Sequence, residues 1–284
     1  AGGTGKGRPM DDVTIPMAID HVGIVGRDMA GLKLAYERLG FRVTEPKPLL
    51  GADGQGKMVP LGQYSAHFMF ADSYVELSAV TGEKPHNHLE PWLRRYEGLH
   101  ILALATPDAE KARTHLRSAG LDPGPVQTAA RDVQYGNGGR ALFSWFAFAA
   151  DAFAEAFVCM VEQRTPDIVF QPGMADHANG AVDLVGVFAL AGDPLAAQAR
   201  FQPFADAASH RFLRLMTARD ARRTYGAIAL PAPDHCLFGM QIRVRSLRRL
   251  ADGLNGHAVP YREIAGGVLV APQYAGGAMI VFTA

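Results

Sequence analysis

Four residues in the N-terminal part of the chain have side chains that bind metals, and their spacings pair them. His21 and His100 stand 79 residues apart, and Glu76 and Glu162 stand 86 apart. Each interrupts an otherwise apolar run, in DHVGIV, YVELSAV, GLHILALA and AFVCMVEQ. Runs of this kind read as strands, whose side chains alternate between faces with period 2. His21 then shares a face with Gly23 and Val25, Glu76 with Tyr74 and Ser78, and His100 with Leu102 and Leu104. An ionised carboxylate among such neighbours needs a charged partner to offset its desolvation. One divalent ion would supply it, and two imidazoles with two carboxylates suit Zn, Ni, Co, Mn or Fe without choosing among them. Cys159 competes with Glu162 for the inward place, because the two are three residues apart and so face opposite ways.

The elements that would position these residues recur along the chain. From Met17, the strand pattern AIDHVGIVGRD leads into DMAGLKLAYERLGF, where Leu32, Leu34, Ala35 and Leu39 follow helical spacing up to a Gly-Phe stop. FRVTEPKPLL, the turn GADGQG, and the β-rich runs SAHFMFA and YVELSAV complete a β-α-β-β-β unit. GLHILALATPD with AEKARTHLRSAGL opens a second unit, which GRALFSWFAFA and AFVCMVEQ close. After the connector RTPDIVFQPGMADHANGA, a third unit starts at AVDLVGVFALAGD with the helical stretch PLAAQARFQPFADA, and a fourth at LFGMQIRVRS. Four units of this kind account for most of the chain, and such a period outweighs any single segment.

DHVGIVGRDMAGLKLAYERLGF resembles the opening strand and helix of the vicinal oxygen chelate superfamily, whose members include glyoxalase I, epimerases, extradiol dioxygenases and drug-resistance proteins. GLHILALATPDAEKARTHLRSAGL resembles the same opening in a second unit, and QRTPDIVF echoes a phrase of glyoxalase-like members. The likeness implies an α+β fold of four βαβββ modules paired into two cup-shaped half-barrel domains. It implies a tail over residues 1–16, a metal-bearing domain over 17–165, a linker over 166–180 and a second domain over 181–284. In that superfamily the first and last strands of each unit supply one inward ligand each, which makes His21, Glu76, His100 and Glu162 the metal set. Glyoxalase-type isomerases use a coordinated Glu as the base, a role that falls to Glu162 with Glu76 as the alternate. The implied function is a metal-dependent lyase or isomerase acting on a small molecule chelated through vicinal oxygens. An Fe(II) dioxygenase using His21, His100 and Glu162 is the rival reading, and a non-enzymatic binding protein is the third.

The second half carries no ligands of its own: aligning AVDLVG with AIDHVG puts Leu184 where His21 stands, and the last strand, AMIVFTA, has no Glu. Lys+Arg 28 balance Asp+Glu 28, so no basic field attracts nucleic acid or an anionic membrane. Cys159 and Cys236 belong to no CxxC spacing, no apolar run is long enough to span a bilayer, and AGGTGKGRPM lacks both a signal-peptide core and a true phosphate loop. The expectation is a cytoplasmic monomer or homodimer with a small-molecule substrate. Of the other histidines, His86 and His88 in KPHNHLEP, His177 and His235 fall in connectors and read as loop residues. RDVQYGNGGR, with Arg131, Tyr135, Asn137 and Arg140, reads either as a surface hairpin or as a source of substrate contacts.

Overall fold

The computed structural model describes residues 18–82, 87–204 and 212–284; the expected tail, Met17 and His86 lie outside them. The first unit is β1 (Ile19–Gly26), α1 (Met29–Arg38), β2 (Lys47–Ala52), β3 (Met58–Met69) and β4 (Tyr74–Val80). The short helix α2 (Glu90–Leu93) leads to the second: β5 (Gly98–Ala105), α3 (Ala109–Ser118), β6 (Gln127–Val133), β7 (Gly139–Ala147) and β8 (Phe157–Gln163). These eight strands close into a barrel in the order β1-β4-β3-β2-β6-β7-β8-β5.

Local chemistry sets the helix ends. The Asp28 carboxylate accepts from the Gly31 N–H to open α1, and Asp108 accepts from the Lys111 N–H to open α3, caps worth about 1 kcal/mol each. Both helices stop at a glycine in the left-handed region, Gly40 at φ 86° and Gly120 at φ 87°.

After α4 (Pro166–Val169) come β9 (Ala181–Leu190), α5 (Pro194–Phe201), β10 (Leu213–Met216) and α6 (Ala218–Tyr225). The fourth unit follows as β11 (Cys236–Val244), α7 (Leu247–Gly256), β12 (Arg262–Ile264), β13 (Gly267–Val270) and β14 (Met279–Thr283). They form a second sheet ordered β10-β9-β11-β14-β13-β12. The third unit contributes two of its strands among the described residues, so this sheet is open where the first is closed. No described helix is long and apolar enough to cross a membrane.

Period 2 sorts the barrel strands into two cores. Val22, Ile24, Val75, Leu77, Leu102, Leu104, Val158 and Met160 point outward into a cluster shared with Tyr36 of α1, Leu116 of α3 and Val187, Ile242 and Ile280 of the second sheet. Val25, Tyr74, Ile101, Ala103, Ala129, Phe143, Phe157, Cys159 and Val161 point into the barrel. The Tyr36 hydroxyl donates to the Ala275 carbonyl at 3.0 Å, tying α1 to the second sheet. Leu184, the counterpart of His21 by alignment, is buried in the shared core.

Candidate active site

β1 runs parallel to β4 with His21 opposite Tyr74 and Gly23 opposite Glu76, so both side chains face the barrel interior. The other two expected ligands face away from it. On β5 the inward residues are Ile101 and Ala103, which puts His100 on the outer side. There its Nε2–H donates to the Tyr96 carbonyl at 2.8 Å and its ring lies 3.9 Å from the Tyr96 ring. Burial pushes His100 down to about 4, against the raising effect of the Tyr96 carbonyl, so it is a neutral packing residue. On β8 the inward residues are Phe157, Cys159 and Val161, which puts Glu162 outside. Its Oε2 accepts from the Ala109 N–H at 3.0 Å at the start of α3, and its Oε1 lies 3.3 Å from Arg164. The four-ligand set therefore does not converge: His21 and Glu76 meet, while His100 braces the barrel from outside and Glu162 caps a helix.

Strand register shows what replaces the missing pair. His21 pairs with Tyr74 two residues before Glu76, and Ile101 pairs with Phe157 two residues before Cys159. Ile101 is thus the counterpart of His21, and Cys159 that of Glu76. The hydrocarbon side chain of Ile101 offers no metal-binding atom, and burial holds the Cys159 thiol well above its usual range, with Asp20 and Glu76 adding to the effect. Among the described residues no three His, Cys, Asp or Glu side chains converge as metal ligands. The donor set does not fit the divalent centre that the superfamily likeness implied.

What the barrel does hold is a chamber open to solvent on one side, lined by His21, Tyr74, Glu76, His88, Arg131 and Cys159 and by the apolar walls Leu49, Ile101, Phe143, Trp145, Phe157 and Val161. His21 stacks on Tyr74 at 4.6 Å, and its Nδ1–H donates to Asp20 Oδ1 at 2.6 Å. Gln163 Nε2 donates to the same carboxylate at 2.9 Å. That leaves His21 Nε2 toward the chamber, 3.9 Å from Glu76 Oε2. Glu76 Oε1 accepts from the Ser65 hydroxyl at 3.1 Å and from that of Ser78. Burial opposes the charge on Glu76, yet its surroundings, the Ser78 hydroxyl among them, outweigh it and hold the carboxyl well below the usual carboxylate range.

Two further residues adjoin Glu76, of which the sequence had not singled out His67. His67 Nε2 stands 3.7 Å from Glu76 Oε2 and accepts a hydrogen bond from Arg131 Nη1. Burial and the adjoining guanidinium push its imidazole down to about 3, so it is neutral. Arg131 belongs to β6 and not to the hairpin loop: Ala129, Arg131 and Val133 alternate into the barrel, and that alternation was the available signal. Its guanidinium carbon lies over the Tyr74 ring at 5.2 Å and the Phe143 ring at 5.4 Å. Of the other hairpin residues, Arg140 pairs with Asp132 at 2.8 Å on the surface, the Tyr135 hydroxyl donates to the Val169 carbonyl, and the Asn137 N–H donates to Gln171.

Two connector histidines differ from their loop reading. His88 lies 5.6 Å from the Trp145 ring and 5.3 Å from the Phe157 ring at the chamber wall, and burial pushes it down to about 4 against the pull of Glu76. His177 is a buried strut, accepting from the Arg42 N–H at 3.0 Å and donating to the Met69 carbonyl at 2.8 Å. His235 is half-exposed, 3.5 Å from Glu155.

Comparison with known proteins agrees with this architecture. A hypothetical protein from Staphylococcus aureus superposes with a TM-score of 0.61 at 8% identity, over 94% of this chain and 98% of its own. A mutant 4-hydroxymandelate synthase from Streptomyces coelicolor superposes with a TM-score of 0.56 at 10% identity, over 94% of this chain and 92% of its own. A fusion of a xylose isomerase-like TIM barrel with a 4-hydroxyphenylpyruvate dioxygenase gives 0.55 at 13% identity, over 95% and 49%. Identities this low show the fold alone. No curated protein matches the sequence. The family model described as the glyoxalase-like domain matches residues 19–204, spanning the whole barrel and the start of the second sheet. The chain therefore belongs to the glyoxalase-like family of the vicinal oxygen chelate superfamily.

Proposed function

We propose that the protein is an enzyme that moves a proton on a small organic molecule held in the barrel chamber, as an isomerase or lyase does, with His21 as the base. The observation that carries this reading is the Asp20–His21 pair: one carboxylate fixes the Nδ1–H tautomer and leaves Nε2 facing the chamber beside a second carboxylate, Glu76. Once Nε2 takes a proton from a carbon acid, the imidazolium lies between two negative charges. A positioned base of this kind contributes roughly 100- to 10,000-fold. The apolar walls lower the local dielectric, which strengthens those interactions. Glu76, an alternate base on the sequence reading, here stabilises the protonated His21. The rival dioxygenase reading needs His21, His100 and Glu162 around one ion, and two of those three face away from the chamber.

The test is hydrogen–deuterium exchange followed by proton NMR in D2O, with α-hydroxycarbonyl compounds, hemithioacetals and 2-oxo acids. Wild-type protein catalyses exchange on at least one class without consuming oxygen, and His21→Gln abolishes it. Oxygen uptake stoichiometric with substrate loss, or exchange that persists in His21→Gln, defeats the proposal.

A further inference from the structure

Proton transfer by His21 leaves Arg131 unexplained. Its side chain is buried, and burial of a guanidinium is costly unless its N–H groups and its charge are met. Nη1 donates to His67, a neutral group. Among the described residues Nε and Nη2 make no hydrogen bond, and Arg131 forms no ion pair. The neighbours nonetheless favour the cation: burial opposes it, while Tyr74, Tyr135 and Glu76 more than offset that opposition.

The unused atoms are not a random pair. Nε–H and Nη2–H lie side by side on one edge of the guanidinium plane, the edge that meets both oxygens of a carboxylate at once. The guanidinium carbon sits over the Tyr74 and Phe143 rings and Nη1 is taken by His67, so this edge carries the donors left for a ligand. Around it the chamber offers apolar surface: Ile101, Phe143, Trp145, Phe157 and Val161. Arg131, His67 and Ser65 also border a second hollow, shared with Arg42, Lys47, Val43 and Met174, which lacks the cluster of Phe143, Trp145 and Phe157.

Resting on the proton-transfer reading of the same chamber, we propose that Arg131 is a binding residue for the carboxylate of the substrate, which is a small organic acid with an aromatic or branched-aliphatic substituent. The acid group takes the Nε/Nη2 edge in a two-point hydrogen bond, and the substituent packs against Trp145, Phe143 and Phe157. The carbon between them then lies on the side of the chamber that His21 and Glu76 face. The negative charge of Glu76 keeps the carboxylate from binding in the reverse orientation.

Calorimetric titration with 3-phenylpropanoate and 4-methylpentanoate, each against its own amide, tests this directly. The acids bind wild-type protein at least about tenfold more tightly than the amides, the usual advantage of a charge-assisted pair over a neutral one. Arg131→Gln loses that preference. Arg131→Lys keeps a charge but not the paired edge, and weakens the acids selectively. Emission from Trp145, identified with Trp145→Phe, changes on binding. Equal affinity of wild type for acid and amide overturns the proposal, even where Arg131→Gln fails to fold. Acid binding that leaves Trp145 emission unchanged overturns it as well, since it places the ligand in the other hollow. Acid-selective binding without any exchange activity leaves the inference standing and removes the proposed reaction; exchange on neutral substrates without acid preference does the opposite.

Discussion

The two modules of the barrel share a backbone plan and divide the chemistry unequally. The first supplies His21 with Asp20 behind it, and His67 and Glu76 beside it; the second places Ile101 and Cys159 at the register positions of His21 and Glu76 and adds Arg131, Phe143, Trp145 and Phe157. Duplication fixed where the side chains point and left open what they are. A chamber between two copies need not be symmetric. Proton abstraction benefits from asymmetry, because a base on one wall and a cation on the other act on opposite ends of the same developing charge.

The sharpest way to break this comparison is to disable one copy at a time. His21→Gln lowers exchange activity by about 100- to 10,000-fold. Cys159→Ser, at the position matching Glu76, leaves the rate close to wild type, as NMR exchange in D2O will show. Comparable losses in the two variants would mean that both copies take part in the chemistry.

A second way is to restore the symmetry. Ile101→His with Cys159→Glu places two imidazoles and two carboxylates at equivalent register positions, and raises affinity for Zn²⁺ or Mn²⁺ on the order of 100-fold, measured by competition with a chelating dye. His100→Ala and Glu162→Ala in the native background leave metal uptake unchanged. A loss of tightly bound metal in either of these would show that the original four-residue set is the ligand set after all.

The sequence carried the module plan well, because strand and helix periods recur with the same caps and stops. It also carried His21 and Glu76, as charges set into apolar strands. His100 was misassigned for a physical reason: β5 is buried on both faces, between the chamber and the second sheet, so its residues do not alternate in polarity. The helix starts Asp28 and Asp108 are 80 residues apart, and so are the helix-end glycines Gly40 and Gly120, whereas His21 and His100 are 79 apart. That one-residue slip turns a strand side chain to the other face. Arg131 was obscured by the turn formers that follow it in QYGNGG, and Asp20 by lying directly beside the histidine it orients.

The buried histidines of the two modules give a smaller effect that is read by stability. His67 of the first module is held down to about 3 and His100 of the second to about 4, both below the ordinary 6.5. Each is neutral in the fold and takes up a proton only on unfolding, so stability is full above pH 6.5 and falls as the pH drops toward the folded values. At pH 5 the loss is about 2 kcal/mol for each histidine. Urea unfolding at pH 7 and pH 5 measures it, and His100→Gln flattens the dependence. A profile unchanged by that variant would place the titrating groups elsewhere.

The smallest expected effect separates a cap from a ligand. Carried through strand register, the position of Glu162 corresponds to Ala79 in the first module, so the two helices are held differently: α1 has only the Asp28 cap, while α3 has Asp108 and the Glu162 carboxylate on the Ala109 N–H. A carboxylate at a helix N-terminus satisfies an orphan donor and meets the positive end of the helix dipole. Arg164 beside it is exposed and adds little. Glu162→Ala therefore costs about 1 kcal/mol of unfolding free energy, seen as a shift in the urea midpoint, and increases amide exchange in the first turn of α3. Activity in the chamber and binding of organic acids stay at wild-type levels, because the residue lies outside the barrel. If Glu162→Ala instead abolished activity while α3 kept its protection, the carboxylate would belong to the site, and the inward face assigned to β8 would be wrong.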